Sequence, residues 1–344
     1  MPAVTQGKVL VSGANGYIAL WVVQSLLDHG FSVRGTVRSE SKVAHLKETF
    51  KDHGDKLEVV VVPDITKEGA FDEAVKGVDA IAHTASPFHF NAKDPQELIT
   101  PAVAGTGSIL QSALLHANDT VKRIVLTASC ATVLTPDGVA RTYSEADWNE
   151  YSIKQVETKG SAASPAEAYR ASKTLAERAA WKFFEINKEK LHFDLAVLNP
   201  PFVFGPVLHE VGSPDALNTS MQDWYDTVVR GVRSNEQLAT VGSSFIDVRD
   251  VGLAHTLALE KEAAGGERII IASEAYNWQD WVNAAHAIDP SLPAGNTSYD
   301  SATAAFPVKY DTSKSERTLG IKYRTIKEST ADTLNQFREK GWIA

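Results

Sequence analysis

The chain predicts an α/β fold: a doubly wound parallel sheet flanked by helices, with a smaller C-terminal lobe. Three observations carry this. From residue 8 to about 200, short β-branched apolar runs alternate with helix-period segments. The first run ends in a glycine turn, Ser12-Gly13-Ala14-Asn15-Gly16. Beyond Pro200 the alternation gives way to Pro, Gly and Ser punctuation around aromatic residues. A length of 344 residues suits two intimately packed units better than one core.

The strand-like runs are Lys8 to Val11, Ser32 to Val37, Leu57 to Val62, Ala80 to His83, Arg123 to Thr127 and Phe193 to Leu198. Helices fit near Tyr17 to Asp28, Ser41 to Phe50, Ala70 to Lys76, Pro95 to Ala117 and Ala166 to Lys190. Pro101 falls inside the fourth and predicts a kink. In the fifth, Pro165 suits a first turn, and Leu175, Ala179, Phe183 and Ile186 recur at helical spacing. Later, Met221, Trp224 and Tyr225 share a helical segment, and strand-like stretches at Phe245 to Val248 and Arg268 to Ala272 return the chain to the sheet. The predicted division is 1–204, with about 246–273 returning to it, against a smaller substrate-binding lobe of 205–245 and 274–344. The ligand cleft is expected between the two.

Net charge is -9, from 34 basic and 43 acidic residues without a Lys/Arg block. Nonspecific binding to nucleic acid or an anionic membrane is therefore disfavoured. The single cysteine, Cys130, excludes an internal disulfide framework and multi-cysteine metal sites; ten histidines form no H-E-x-x-H pattern, so no metal is expected. The N-terminal segment has neither a basic n-region nor a long apolar h-region, and no eighteen-residue apolar stretch follows. A cytoplasmic protein, monomeric or homodimeric, is expected.

Val9 to Ala19 reads as strand, tight glycine turn and helix start. Gly13, Asn15, Gly16, Tyr17 and Ile18 then let the backbone approach a pyrophosphate, whose charge meets N–H groups and the positive helix end. This is a Rossmann-type cofactor loop, spaced Gly-x-x-Gly-x-x-Ala. The second strand ends Thr36-Val37-Arg38, without the carboxylate that an NAD site offers the ribose. Arg38, with Lys42 a helical turn on, can instead meet a 2′-phosphate; the choice points to NADP (NADPH), with Glu40 as the opposing charge. Asp64 and Ile65 are placed to contact adenine, unless Asp64 only forms a turn. Thr84, Ala85 and Ser86 follow the fourth strand toward the expected cofactor; His83 before them reads as structural or catalytic.

Strand five delivers Ser129 to the carboxyl edge of the sheet, where open α/β folds bind ligands. Tyr169 and Lys173 lie i, i+4 on one helix face. A hydroxyl, a phenol and an ammonium so placed can hand a proton to a carbonyl oxygen that accepts hydride. Lys173 is expected to stabilise phenolate and to hold the ribose hydroxyls. Tyr-x-x-x-Lys recurs at Tyr310 to Lys314 and Tyr323 to Lys327, but those tyrosines read as surface or packing residues. Cys130 invites a nucleophile reading; a small buried cysteine is preferred.

With these residues in place, the chain resembles the extended short-chain dehydrogenase/reductases over nearly its whole length. It is most similar to fungal NADPH-dependent carbonyl reductases of the methylglyoxal/isovaleraldehyde reductase and dihydroflavonol reductase group. The carrying segments are Ser12 to Ala19, His83 to Phe88, Pro101 to Val103, Val125 to Ser129, Tyr169 to Lys173, Asn199 to Pro206 and Ile246 to Val251. The resemblance implies Ser129, Tyr169 and Lys173 as a catalytic triad, Arg38 and Lys42 as 2′-phosphate contacts, and Pro200 and Val203 near the nicotinamide. Two departures matter. Ala102-Val103-Ala104-Gly105-Thr106 lacks the Asn of a proton relay found in many members, and Phe202 replaces the Asn typical of sugar-nucleotide epimerases and dehydratases.

Phe88, Phe90, Thr132, Val133, Phe202 and Trp224, the last with Met221 and Tyr225, are candidates to line the substrate side together with Ser129 and Tyr169. An apolar, aromatic wall fits neutral aldehydes, ketones, diketones or keto esters. The expected activity is reversible NADPH-dependent carbonyl reduction. The alternatives are a redox-sensing NADP-binding regulator without turnover and a sugar-nucleotide epimerase or dehydratase.

Overall fold

The computed structural model describes residues 3–86 and 92–343. Its larger sheet holds β1 (Lys8–Ser12), β2 (Ser32–Val37), β3 (Leu57–Val61), β4 (Ala80–His83), β5 (Arg123–Thr127), β7 (Asp194–Asn199) and β10 (Arg268–Ile270), in the order β10-β7-β5-β4-β1-β2-β3. All neighbours pair in parallel, with Ser12 opposite His83 and Thr127 opposite Leu198. That register brings the carboxyl ends of β1, β4, β5 and β7 to one edge. The chain order folds back beside β1, which is the crevice where such sheets take ligands.

Helices α1 (Tyr17–Asp28), α2 (Val43–Thr49), α3 (Gln96–His116), α4 (Glu150–Lys159), α5 (Pro165–Asn187) and α8 (Val248–Glu260) flank this sheet. The capping box of Ser164 and Glu167, with Pro165 at the first position, starts α5 and fixes the phase of its face. Helix α3 runs on through Pro101. By length and composition α3 could cross a membrane, yet 56% of its apolar window is buried inside the fold, where it packs along α5. Gly252 lets α8 approach α1: a Cβ there would lie 2.4 Å from the Trp21 carbonyl oxygen.

The helix expected over Ala70 to Lys76 is a run of turns. Left-handed glycines, Gly69 and Gly77, bound it, and most of its bonds are of the i→i−3 kind, as from Asp72 N–H to the Gly69 carbonyl. Phe71 and Val75 are still fully buried, so apolar spacing reported burial rather than helix.

The remaining elements are β6 (Arg141–Tyr143), β8 (Phe202–Phe204), β9 (Gly242–Asp247), β11 (Ala275–Asn277), β12 (Val308–Tyr310), α6 (Thr219–Val228), α7 (Asn235–Thr240), α9 (Trp278–Ile288), α10 (Ser313–Leu319) and α11 (Ile326–Glu339). Strands β11, β9 and β8 form a second sheet, and β12 pairs with β6. Trp281 packs α9 onto the second sheet, its ring 4.7 Å from Phe245 and 5.2 Å from Phe204. One apolar cluster runs from Val9 and Leu20 through Phe204 to Trp281 and Phe337, so the larger sheet and the C-terminal elements share a core.

Candidate active site

The glycine loop is tied to β2. Gly13, at φ 66°, donates its N–H to Thr36 Oγ1 at 3.1 Å, and Ala14 N–H donates to the Thr36 carbonyl at 2.8 Å. A Cβ on Gly13 would sit 3.2 Å from that of Ala85, so the glycine keeps the loop close to the end of β4. Gly16 caps α1 without a side-chain acceptor, and Asn15 lies partly exposed beside it. The first N–H groups of α1, Tyr17 and Ile18 among them, can therefore serve an anion. The Tyr17 side chain turns elsewhere: its hydroxyl donates to the Gly205 carbonyl at 3.0 Å.

Ser12 joins β1 to β4. Its Oγ accepts from Thr84 N–H and Ala85 N–H, each at 3.0 Å, and lies 2.8 Å from His83 Nδ1. With both acceptor positions used, the serine proton points to Nδ1, which makes His83 the neutral Nε2–H tautomer. Thr84 Oγ1 closes the joint on the Ser12 carbonyl. The Nδ1 side of His83 is thus held in the joint between β1 and β4.

Asp64 makes a turn, accepting from Thr66 N–H at 3.0 Å and Thr66 Oγ1 at 2.6 Å. These bonds hold its carboxyl below the usual range. Ile65 packs toward Gly105 of α3. Arg38 is exposed at the end of β2, and Lys42 Nζ reaches Glu210 at 2.8 Å.

Ser129, Tyr169 and Lys173 come together beyond β5. Ala128 N–H and Cys130 N–H donate to the carbonyls of Leu198 and Pro200, each at 2.8 Å, and extend the β5–β7 pairing past Ser129. Ser129 Oγ accepts from Ala131 N–H at 3.1 Å and stands beside the Tyr169 phenol, where it favours the ionised form. Lys173 Nζ donates to the Thr127 carbonyl at 3.3 Å. Burial raises the Tyr169 phenol above its ordinary value, while Ser129 and then the Arg170 charge pull it back. Burial lowers Lys173 to about 8, with the Glu177 carboxylate opposing.

Three pocket candidates are corrected. Thr132 has no exposure; its hydroxyl accepts from Asn199 Nδ2 at 3.0 Å and Arg268 Nη2 at 2.8 Å. Val133 is equally buried, packed with Cys130, Tyr143 and Ile270. Trp224 stacks edge-on to Trp281 and Phe337 in the core, alongside the buried Met221 and Tyr225. An aromatic helix face that serves a core has the same spacing as one that serves a ligand, which is why the pattern misplaced it. Phe202, 48% exposed, stacks on Phe204. Pro200 and Val203 are buried beside β7 and β9. Phe88 and Phe90 lie outside the described residues.

Cys130 is buried, donates Sγ–H to the Asn199 carbonyl at 3.1 Å, and has its thiol pushed well up by burial. The other two Tyr-x-x-x-Lys copies are packing: Tyr310 lies 6.1 Å from Tyr143, and the Tyr323 hydroxyl donates to Ser315.

A buried polar network was not anticipated. Glu177 accepts from Arg268 Nε at 2.5 Å, Asn199 Nδ2 at 2.9 Å and Trp181 Nε1 at 3.3 Å. Beside it is a cavity of about 10 Å³, bordered by His83, Ser86, Thr106, Thr127, Lys173 and Glu177, close to the smallest space that holds one water. The local signal was a carboxylate four residues beyond Lys173 on a buried helix face; its partner lies 91 residues away.

Burial holds His83 at about 3 and His255, bonded to Thr127 Oγ1 at 2.7 Å, at about 4. Both values are depressed from about 6.5, so the unfolded chain binds protons that the folded chain refuses. The stability is complete above about pH 6.5 and is lost as pH falls toward the folded values, by roughly 3–5 kcal/mol per histidine. Thermal melts taken at descending pH are expected to show a steep loss across this window. A flat melting temperature would contradict the neutral-histidine assignment.

Residues 9–272 match the NAD dependent epimerase/dehydratase family. Ketoreductase azaE of Aspergillus niger is 36% identical, over 97% of this chain and 98% of that protein. The NADPH-dependent methylglyoxal reductase GRE2 of Saccharomyces cerevisiae is 34% identical, over 96% and 97%. Among solved structures, yeast methylglyoxal/isovaleraldehyde reductase Gre2 complexed with NADPH superposes with a TM-score of 0.86 at 34% identity, covering 98% of this chain and 100% of that one. Vestitone reductase from alfalfa gives 0.77 at 25% identity, covering 98% and 100%.

Proposed function

Because this chain belongs to the NAD dependent epimerase/dehydratase family, as an extended short-chain dehydrogenase/reductase, we propose that it reduces small or hydrophobic aldehydes, ketones and diketones to alcohols with NADPH, reversibly. The observation that carries the reading is the convergence of Ser129 and the Tyr169 phenol, with Lys173 on the same helix, at the sheet edge that holds the glycine loop.

The residues present fit the cofactor. Gly13 leaves a cradle that a side chain would crowd, α1 begins without a side-chain cap, and Arg38 is an exposed cation at the end of β2. Gly13, Asn15, Gly16, Tyr17 and Ile18 would hold the pyrophosphate through the backbone; Arg38 and Lys42 would hold the 2′-phosphate. NADPH, when bound, supplies the hydride. Ser129 positions the substrate carbonyl, and Tyr169 protonates its oxygen as negative charge develops there. A phenol raised by burial is protonated at neutral pH, which suits the reducing direction. Lys173 holds the ribose hydroxyls. Residues 1–204 with about 246–273 form the NADP-binding domain, and Phe202 offers the substrate an apolar face.

The test is initial-rate oxidation of NADPH, and separately NADH, with methylglyoxal, isovaleraldehyde, an aryl ketone and a diketone. Turnover with NADPH in preference to NADH is expected. NADPH binding without reduction of any of these carbonyls would overturn the reading in favour of a regulator or a sugar-nucleotide enzyme.

A further inference from the structure

Lys173 and Glu177 are one helical turn apart on α5, so their side chains share a face. Both border the water-sized cavity between α5, β4, β5 and α3. Glu177 has no solvent exposure. Arg268 grips it through Nε and Nη2, at 2.5 and 3.4 Å, and Asn199 and Trp181 supply two further donors. Arg268 is itself braced by the carbonyls of Glu145 at 2.9 Å and Asp147 at 2.6 Å, with its guanidinium 3.7 Å from the Trp148 ring centre.

Stability alone does not account for this arrangement. A buried ion pair gains little over well-packed apolar residues of the same volume, because desolvation offsets the Coulomb attraction. What the pair does is fix the Glu177 carboxylate one helical turn from a buried lysine, on the edge of the same cavity.

Among the described residues, the other groups facing Lys173 supply no negative charge. From β4 comes His83, neutral; from β5 come the Thr127 carbonyl and, behind it, the neutral His255. Helix α3 contributes the Thr106 hydroxyl, and β10 the Arg268 cation. On α5 itself are Tyr169, neutral, and Arg170, a cation. Cys130 is a protonated thiol, and Glu145, across Arg268, is engaged by Ile270 N–H at 3.0 Å. Among the described residues, the carboxylate that acts on Lys173 is that of Glu177.

We propose that Glu177 is a positioning residue for carbonyl reduction, acting through Lys173: its carboxylate, clamped by Arg268, keeps the buried ammonium charged beside Tyr169 and the cofactor ribose. The proposal rests on the carbonyl-reductase reading above. The same clamp steadies the serine side of the site, since Asn199 Nδ2, which bonds Glu177, also donates to the Ser129 carbonyl at 3.2 Å.

The experiment is the pH dependence of kcat for NADPH-driven reduction in wild type, Glu177→Gln, Glu177→Asp and Thr132→Val. In wild type the rate is expected to fall on the alkaline side as Lys173 loses its proton near about 8. Removing the Glu177 charge disfavours the ammonium, so the fall should move acidward in Glu177→Gln. A displacement of about one pH unit costs roughly fivefold in kcat at about pH 8 and little at about pH 6. Glu177→Asp keeps the charge but draws it back by one methylene, and should show a smaller displacement in the same direction. Thr132→Val removes one acceptor of the Arg268 guanidinium and leaves the contacts on Glu177 in place; its melting temperature should drop while its alkaline limb stays put.

A Glu177→Gln profile that superposes on wild type, with only the melting temperature lowered, overturns the proposal. If Glu177→Gln does not fold, an unmoved alkaline limb in Glu177→Asp overturns it equally. Wild-type enzyme that reduces no carbonyl overturns the functional reading itself, and is distinguished from the first two outcomes before any variant is made.

Discussion

Tyr169→Phe is expected to lower kcat for NADPH-dependent reduction by roughly 10²–10⁴-fold, the range over which a positioned proton donor accelerates such a step. NADPH affinity should change little, because the ring is retained and the variant loses one hydroxyl. The phenol is the group that can deliver a proton to a carbonyl oxygen held by Ser129: it stands beside Ser129, and burial keeps it protonated at neutral pH. The nearby alternatives lack that capacity. Lys173 is directed at the Thr127 carbonyl, and Cys130 at the Asn199 carbonyl. The measurement is single-turnover reduction alongside NADPH binding by fluorescence. A variant that retains wild-type turnover would remove Tyr169 from the chemistry; one that loses NADPH binding in proportion to turnover would make it a cofactor ligand instead.

How much could be read from the chain follows from where each signal lives. Strand β2 over Ser32–Val37, β4 over Ala80–His83, β5 over Arg123–Thr127 and helix α1 over Tyr17–Asp28 are local patterns with sharp boundaries, and they match residue for residue. Ser129, Tyr169 and Lys173 were legible because a strand end and one helix face fix them. The segment 70–76 was not, since Phe71 and Val75 satisfy a helical period while Gly69 and Gly77 limit the chain to turns. Trp224 and Val133 show the complementary failure. Large apolar side chains line cores and pockets alike, and which one a helix faces depends on partners such as Trp281 and Phe337, far along the chain. The Glu177–Arg268 pair was hidden for the same reason: nothing near either residue names the other.

Arg38→Ala should raise KM for NADPH by about 10–100-fold and leave that for NADH almost unchanged, collapsing the preference between the two. The two cofactors differ only in the 2′-phosphate, so an effect confined to NADPH isolates that group. A guanidinium–phosphate contact is charge-assisted and bidentate, about twice the strength of a neutral hydrogen bond; that corresponds to the predicted range rather than to complete loss, because Arg38 is exposed and screened by solvent. Its place is set by the fold. Thr36, two residues earlier, holds both Gly13 N–H and Ala14 N–H, so the end of β2 cannot move independently of the phosphate loop. Lys42→Ala should cost less, since Glu210 already engages that ammonium at 2.8 Å and a 2′-phosphate must compete for it. Raised ionic strength should narrow the gap between wild type and Arg38→Ala, as befits an interaction between exposed charges. Ratios of kcat/KM for NADPH over NADH, measured at low and high salt, decide the matter. An unchanged ratio in Arg38→Ala would mean that the preference comes from elsewhere, and the absence of a carboxylate at Thr36 and Val37 would then have to carry it alone.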